Sequence, residues 1–197
     1  MKQKYSTRED WFMAAVEELR KHFSANGYKI PKTVKVSCGW TAGDRKKVIG
    51  ECWIPDASKG GFTEIFISPI HDSKEVAGPN GALETLVHEL IHATIFPERG
   101  HKAPFKQAMK AVGLEGVAKS TSATEELCEL FKTIVNKLGQ YPHRALELGM
   151  RDVRKQSTRL IKVGCKKCDY IARVTRKHLD MSGTPLCPTH KIPFVEM

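Results

Sequence analysis

Apolar positions recur at helical spacing in four stretches of the chain and at strand spacing in five. Phe12, Val16, Leu19 and Phe23 form one stripe and predict a helix over residues 7–25, with Ser6 and Glu9 at capping-box spacing and Gly27 ending it. That stripe is core packing. The period then changes, and residues 33–40, 46–54 and 62–68 predict three strands split by Gly- and Asp-containing turns. Gly-Pro-Asn-Gly at 78–81 punctuates the chain before an apolar helical run, ALETLVHELIHATIF, at 82–96. After PERGHKAP (97–104), Pro104 suits a first helical position, and Phe105, Ala108, Met109 and Val112 form a stripe that stops at Gly113. Ser122 and Glu125 open a helix over 123–138, faced by Leu127, Leu130, Phe131, Ile134 and Leu138 and closed by Gly139. Residues 140–160 are an Arg-rich linker, and RLIKVGC and YIARVTR beyond it are short β-prone pieces of the kind found in a metal-stapled ribbon.

Composition adds bounds to this α+β pattern. The 197 residues suit one domain, or one compact domain with a small appended module. With 41% apolar and 27% charged residues, the chain has enough apolar content for a packed core, which excludes wholesale disorder. It contains no run of about 18 apolar residues, so no membrane-spanning helix is expected. Acidic residues interrupt the apolar positions of the amino-terminal segment, which reads as an amphipathic helix and not as a secretory signal. A cytoplasmic location is therefore expected.

Charge and cysteine divide the chain at the same place. Residues 1–150 hold 21 basic and 18 acidic residues, a balance of +3, whereas residues 151–197 hold 11 and 4, a balance of +7. A basic tail on a nearly balanced body points to an anionic partner, nucleic acid foremost, against the plainer alternative of a solubilising surface. Three of the six cysteines lie in that tail, and in a reducing compartment spaced cysteines bind metal more often than they pair.

The run HELIH at 88–92 carries the first candidate chemistry. On a helix, positions i and i+4 share a face, so His88 and His92 can turn ring nitrogens toward one metal ion. Glu89 then stands beside the open position, where it can accept a proton from the attacking water. Zinc suits such a site because it accepts imidazole and keeps a coordination position open for catalysis. A catalytic zinc takes a third protein ligand. His101, in a Gly-flanked turn after the motif helix, is preferred here over Glu115, Glu125 or Glu126.

The second constellation is Cys165-Lys-Lys-Cys168, an 18-residue gap, then Cys187-Pro-Thr-His190. Two knuckles of x₂ spacing can close a tetrahedron on one zinc ion, and a Cys₃His set leaves no open position, so this site is structural. A module this small has too little core to fold unaided, and metal binding would supply much of its folding free energy. Three thiolates and one zinc ion leave the loaded tail at about +6. Lys162, Lys166, Lys167, Arg173, Arg176 and Lys177 are then free to meet phosphates in a sequence-tolerant, salt-dependent way, with Tyr170 as a stacking candidate. Cys38, Cys52 and Cys128 are expected to be buried structural thiols, and Tyr141 and His143 to serve packing.

HELIHA followed by GHKAPF resembles the SprT family of zinc metalloproteases, whose eukaryotic relatives include Spartan. The likeness extends upstream through SCGW, IGECW and FTEIFISP and downstream through YPHRALEL to the cysteine-containing tail, as in phage and bacterial members with an added zinc ribbon. It implies a small zincin-like domain over 1–150, consisting of an amino-terminal helix, a short antiparallel sheet, the motif helix and further helices, followed by a basic zinc ribbon over 151–197. It implies His88, His92 and His101 as ligands of a catalytic zinc and Glu89 as general base. It further implies an endopeptidase whose protein substrates are bound or crosslinked to DNA. The alternatives are a non-enzymatic DNA- or transcription-associated zinc protein, and a metal-dependent hydrolase of a non-peptide substrate.

Overall fold

Helix α1 (Arg8–Ala25) begins one residue later than Ser6 predicts, because Thr7 takes the cap. Thr7 has extended backbone, and its hydroxyl accepts the Asp10 amide at 3.1 Å. The computed structural model describes residues 4–42, 48–71, 81–147, 150 and 160–197. The turn expected at 78–81 lies outside these residues apart from Gly81, as do the start of the strand expected over 46–54 and most of the expected linker. The chain divides into two compact units, Met1–Leu148 and Gly149–Met197. Among the described residues the architecture is mixed α+β, with five α-helices and three small sheets.

In the first unit α1 buries Trp11, Phe12, Ala15, Val16, Leu19 and Phe23 completely. Burial of this kind contributes about 1.5–3 kcal/mol per large side chain. The helix packs on strand β1 (Val34–Cys38) and on a later helix, α4 (Glu125–Leu138). Trp11 also donates its indole N–H to the Gly139 carbonyl at 3.1 Å and meets Tyr141 edge to face. Tyr141 is therefore a packing residue, while His143 holds the Ser6 carbonyl at 2.9 Å.

Strands β2 (Gly50–Trp53) and β3 (Thr63–Ile67) complete the first sheet, whose order is β1-β3-β2. The expected all-antiparallel sheet is corrected here: β3 pairs antiparallel with β2 but parallel with β1. Alternation fixes which face a residue takes and says nothing of strand direction. The inward residues Val34, Val36, Ile65 and Ile67 are buried, and among the described residues β2 lies at an edge.

Helix α2 (Ala82–Ile95) packs on β2 and β3 and is buried nearly all round. Helix α3 (Ala103–Ala111) packs on α2, with Ala103 opening it and Pro104 second. An antiparallel hairpin of β4 (Leu114–Val117) and β5 (Ser120–Ala123) then leads into α4. Thr124, not Ser122, caps α4, its hydroxyl accepting the Leu127 amide at 3.3 Å. Residue 123 belongs to β5, which moves the cap two places on.

The second unit has its own small core of Val163, Leu179, Cys187 and Phe194. Strand β6 (Ile161–Gly164) pairs antiparallel with β7 (Ile171–Val174) and with β8 (Val195–Glu196). Helix α5 (Arg176–Ser182) follows β7. The sequence pattern anticipated β6 and β7 but neither α5 nor β8. No helix among the described residues is long and apolar enough to cross a membrane.

Candidate metal centres

Helix periodicity places His88 and His92 one turn apart on α2, with ring centroids 5.4 Å apart. Gly100 has φ +72° and turns the chain back toward the helix, bringing His101 Nε2 to 3.1 Å from His88 Nε2. One ring nitrogen of each of His88, His92 and His101 lies within 4.8 Å of the others, so the three could hold a metal ion. Glu115 lies exposed on β4, and Glu125 and Glu126 lie in the first turn of α4, outside this group. Phe105, fully buried on α3, stands 4.5–4.9 Å from all three imidazoles and fixes their mutual packing.

Two partners of this cluster were hidden in the sequence. Thr121 of β5 is buried, and its hydroxyl lies 3.2 Å from His88 Nδ1, which leaves Nε2 to face the other rings. Burial, aided by the neighbouring imidazoles, pushes His88 down to about 3 and His92 to about 4. Burial and the Lys119 ammonium likewise lower His101. All three rings are thus neutral near pH 7, the form in which imidazole ligates.

Glu89 is 6% exposed. Burial, with the Glu51 carboxylate adding to it, pushes its carboxyl up to about 8. It borders a cleft of about 650 Å³ that the three histidines, Glu51, Cys52 and Thr121 also line. Cys52 is half-buried and faces this cleft, which corrects the expectation of a buried structural thiol; Cys38 and Cys128 are half-buried too. Burial first, then Glu89, pushes the Cys52 thiol up to about 12, so it is no nucleophile at neutral pH.

The second hidden partner is Gly50 at the start of β2. A Cβ there would lie 2.5 Å from Glu89 Oε1, 2.7 Å from Thr85 Cγ2 and 2.9 Å from Glu89 Cγ. Glycine is what lets the edge strand approach the carboxylate. Gly50→Ala is expected to cost roughly 1–3 kcal/mol, as overpacking does. Thermal unfolding checks this, and an unchanged Tm would show that Glu89 swings clear without cost.

In the second unit Cys165, Cys168, Cys187 and His190 come together, their donor atoms within 4.8 Å of one another. His190 Nδ1 lies 3.6 Å from Cys165 Sγ and 3.7 Å from Cys187 Sγ, and Cys168 Sγ lies 3.8 Å from Cys187 Sγ. Burial raises the Cys187 thiol, but hydrogen bonds from His190 and the Thr189 amide outweigh it and bring it down to about 6. The knuckle amides of Lys167 and His190 also point at sulfur, at 3.3 and 3.4 Å. This donor set could hold a second metal ion. His178 is not part of it, since its Nδ1 meets the Thr175 hydroxyl at 2.9 Å.

The basic residues of this unit are placed unequally. Lys166, Lys167, Arg173 and Lys177 are exposed and Lys162 is half-buried. Lys162 and Arg173 are register partners across β6 and β7, a like-charge pair that disfavours the ladder. Arg176 departs from the expectation of a free cation, because both its terminal nitrogens pair with Glu196 at 2.7 and 3.0 Å. Tyr170 is 51% exposed and leans on Phe194 at 5.8 Å. No protein-family model, curated protein or solved structure matches the chain.

Proposed function

We propose that the chain is a zinc-dependent endopeptidase with a zincin-like, SprT-like catalytic unit, that it acts on proteins bound or crosslinked to DNA, and that its basic second unit holds the nucleic acid. The observation that carries this reading is the convergence of three neutral imidazoles beside a buried carboxyl in an open cleft. The likeness of HELIHA and GHKAPF to the SprT pattern supports it. The donor chemistry fits zinc at both centres: three imidazoles with room beside them at His88, His92 and His101, and a closed Cys₃His set at Cys165, Cys168, Cys187 and His190. When bound at the first centre, zinc supplies Lewis acidity toward a carbonyl oxygen and toward water.

The chain's own residues do the rest. Glu89 accepts a proton from the attacking water at its carboxylate and passes one to the leaving amine nitrogen. Burial shifts it upward, which eases its later release of a proton to the amine, while the carboxylate form that accepts the proton first would be favoured by a zinc ion bound beside it. Thr121 holds the His88 ring, and Phe105 holds all three imidazoles in place. Among the described residues β2 pairs on one side alone, leaving backbone groups on its outer edge for an extended peptide. On the second unit, the opposed Lys162 and Arg173 favour a phosphate between them. The cytoplasm, where thiols stay reduced, is the compartment this reading implies.

The reading is tested by incubating the protein with a DNA-binding protein, with and without DNA. Loss of intact substrate is expected, faster with DNA, arrested by a chelator and restored by added zinc. Substrate left intact across several DNA forms would favour a binding protein whose metals serve folding alone.

A further inference from the structure

A second cavity, of about 370 Å³, opens on the sheet face opposite the one that carries Gly50 and Cys52. Trp40, Trp53 and Phe66 supply its rings, and Glu51 and Glu64 its charge. Strand register sets the pattern, with Trp53 opposite Glu64 and Glu51 opposite Phe66, so rings and carboxylates alternate around the opening. Trp53 is 43% exposed there.

Neither carboxylate is in an ion pair among the described residues. Glu51 accepts the Ala42 amide at 3.0 Å, and Glu64 meets the Ser58 hydroxyl at 3.5 Å. The cation nearest Glu64 by register is Lys35, and its ammonium sits 3.5 Å from the Phe62 ring centroid instead. A cation on an aromatic face thus already occurs on this side of the sheet.

We infer that the Trp40–Trp53–Phe66 pocket takes the side chain of a lysine or arginine of the protein substrate. An apolar stem packs along the rings, while the cationic head meets π faces and two carboxylates. Acidic side chains meet like charge, and neutral aliphatic ones leave both carboxylates without a counter-ion. The pocket belongs with the metal cleft, because Glu51 and Trp53 line both. A peptide lying in the cleft therefore reaches the pocket over the β2 edge. The inference rests on the protease reading for the identity of this ligand as a substrate.

The test scans one lysine, one norleucine or one glutamate through a flexible neutral peptide. At one position lysine is expected to raise kcat/KM about ten-fold over norleucine, with glutamate lowest, and Glu64→Gln is expected to bring the lysine-to-norleucine ratio close to 1. A role of Glu64 in folding alone would leave that ratio unmoved. The same peptides are titrated against Glu89→Gln while tryptophan fluorescence is followed, which reads the pocket without turnover. Tighter lysine binding that Glu64→Gln removes, with no cleavage by the wild type, would uphold the pocket and overturn the protease reading. Cleavage with no lysine preference at any position would overturn the pocket and uphold the protease. Arg45, Lys46 and Lys47 follow Ala42 by three to five positions in the sequence, and changing all three to Gln tests whether the chain's own cations compete for the pocket. A lysine preference that appears only when all three are changed to Gln would overturn the inference.

Discussion

Glu89→Gln is expected to lower kcat/KM for substrate cleavage by about 10²–10⁴-fold, the usual contribution of a positioned general base. The substitution keeps the shape of a side chain wedged against Gly50 and Thr85, so the sheet edge has no reason to move. Burial already disfavours the charged carboxylate, and a neutral amide therefore costs little stability. The three histidines keep their rings and their packing on Phe105, so metal content should hold at the wild-type value. The measurement pairs initial rates with metal analysis and thermal unfolding. A low rate with metal and Tm unchanged assigns the proton transfer to Glu89. Equal rates in both proteins would remove Glu89 from the chemistry, and a variant that loses its metal would mean that the carboxyl supports the ligands instead.

What the sequence made legible follows from which signals are local. His88, Glu89 and His92 are placed by helical period alone, and α2 has that period without a break. The x₂ knuckles of Cys165–Cys168 and Cys187–His190 are likewise local, and they met as expected. His101 needed a turn, which the flanking Gly100 signals. Thr121 was not legible because the β4–β5 loop, Ala118–Lys119, lacks the Gly or Asn that marks a two-residue hairpin. Gly50 falls inside the strand expected over 46–54, where nothing local marks it out, and its closeness to Glu89 is a contact 39 positions away in the chain that no local pattern encodes. The parallel β1–β3 pairing is of the same kind. The ion pair that occupies Arg176 depends on β8, a two-residue strand too short to leave a period.

Cys165→Ser is expected to halve the bound zinc, from two ions per chain to one, and to unfold the second unit while leaving the first intact. Among its described residues the unit has four fully or nearly fully buried apolar positions, Val163, Leu179, Cys187 and Phe194, and one of these is itself a candidate metal donor. Against that small core stand the backbone entropy of nearly forty described residues, about 1–2 kcal/mol each, and the opposed Lys162 and Arg173. Structural zinc contributes about 10–16 kcal/mol of apparent binding free energy in small domains, enough to decide whether such a unit folds. Serine leaves three donors and an alcohol that does not ionise near neutral pH. Amide exchange over residues 160–197 should then lose its protection, while protection in α1 and α2, which lie in the other unit, should not change. Unfolding also disperses Lys162, Lys166, Lys167, Arg173 and Lys177, which only the folded ribbon presents together. DNA affinity at moderate salt should therefore weaken even though every charge remains. Full protection in the variant, with two zinc ions still bound, would remove Cys165 from the site. An unfolded ribbon with undiminished DNA affinity would show that the nucleic acid responds to net charge alone and that the fold of the second unit serves another purpose.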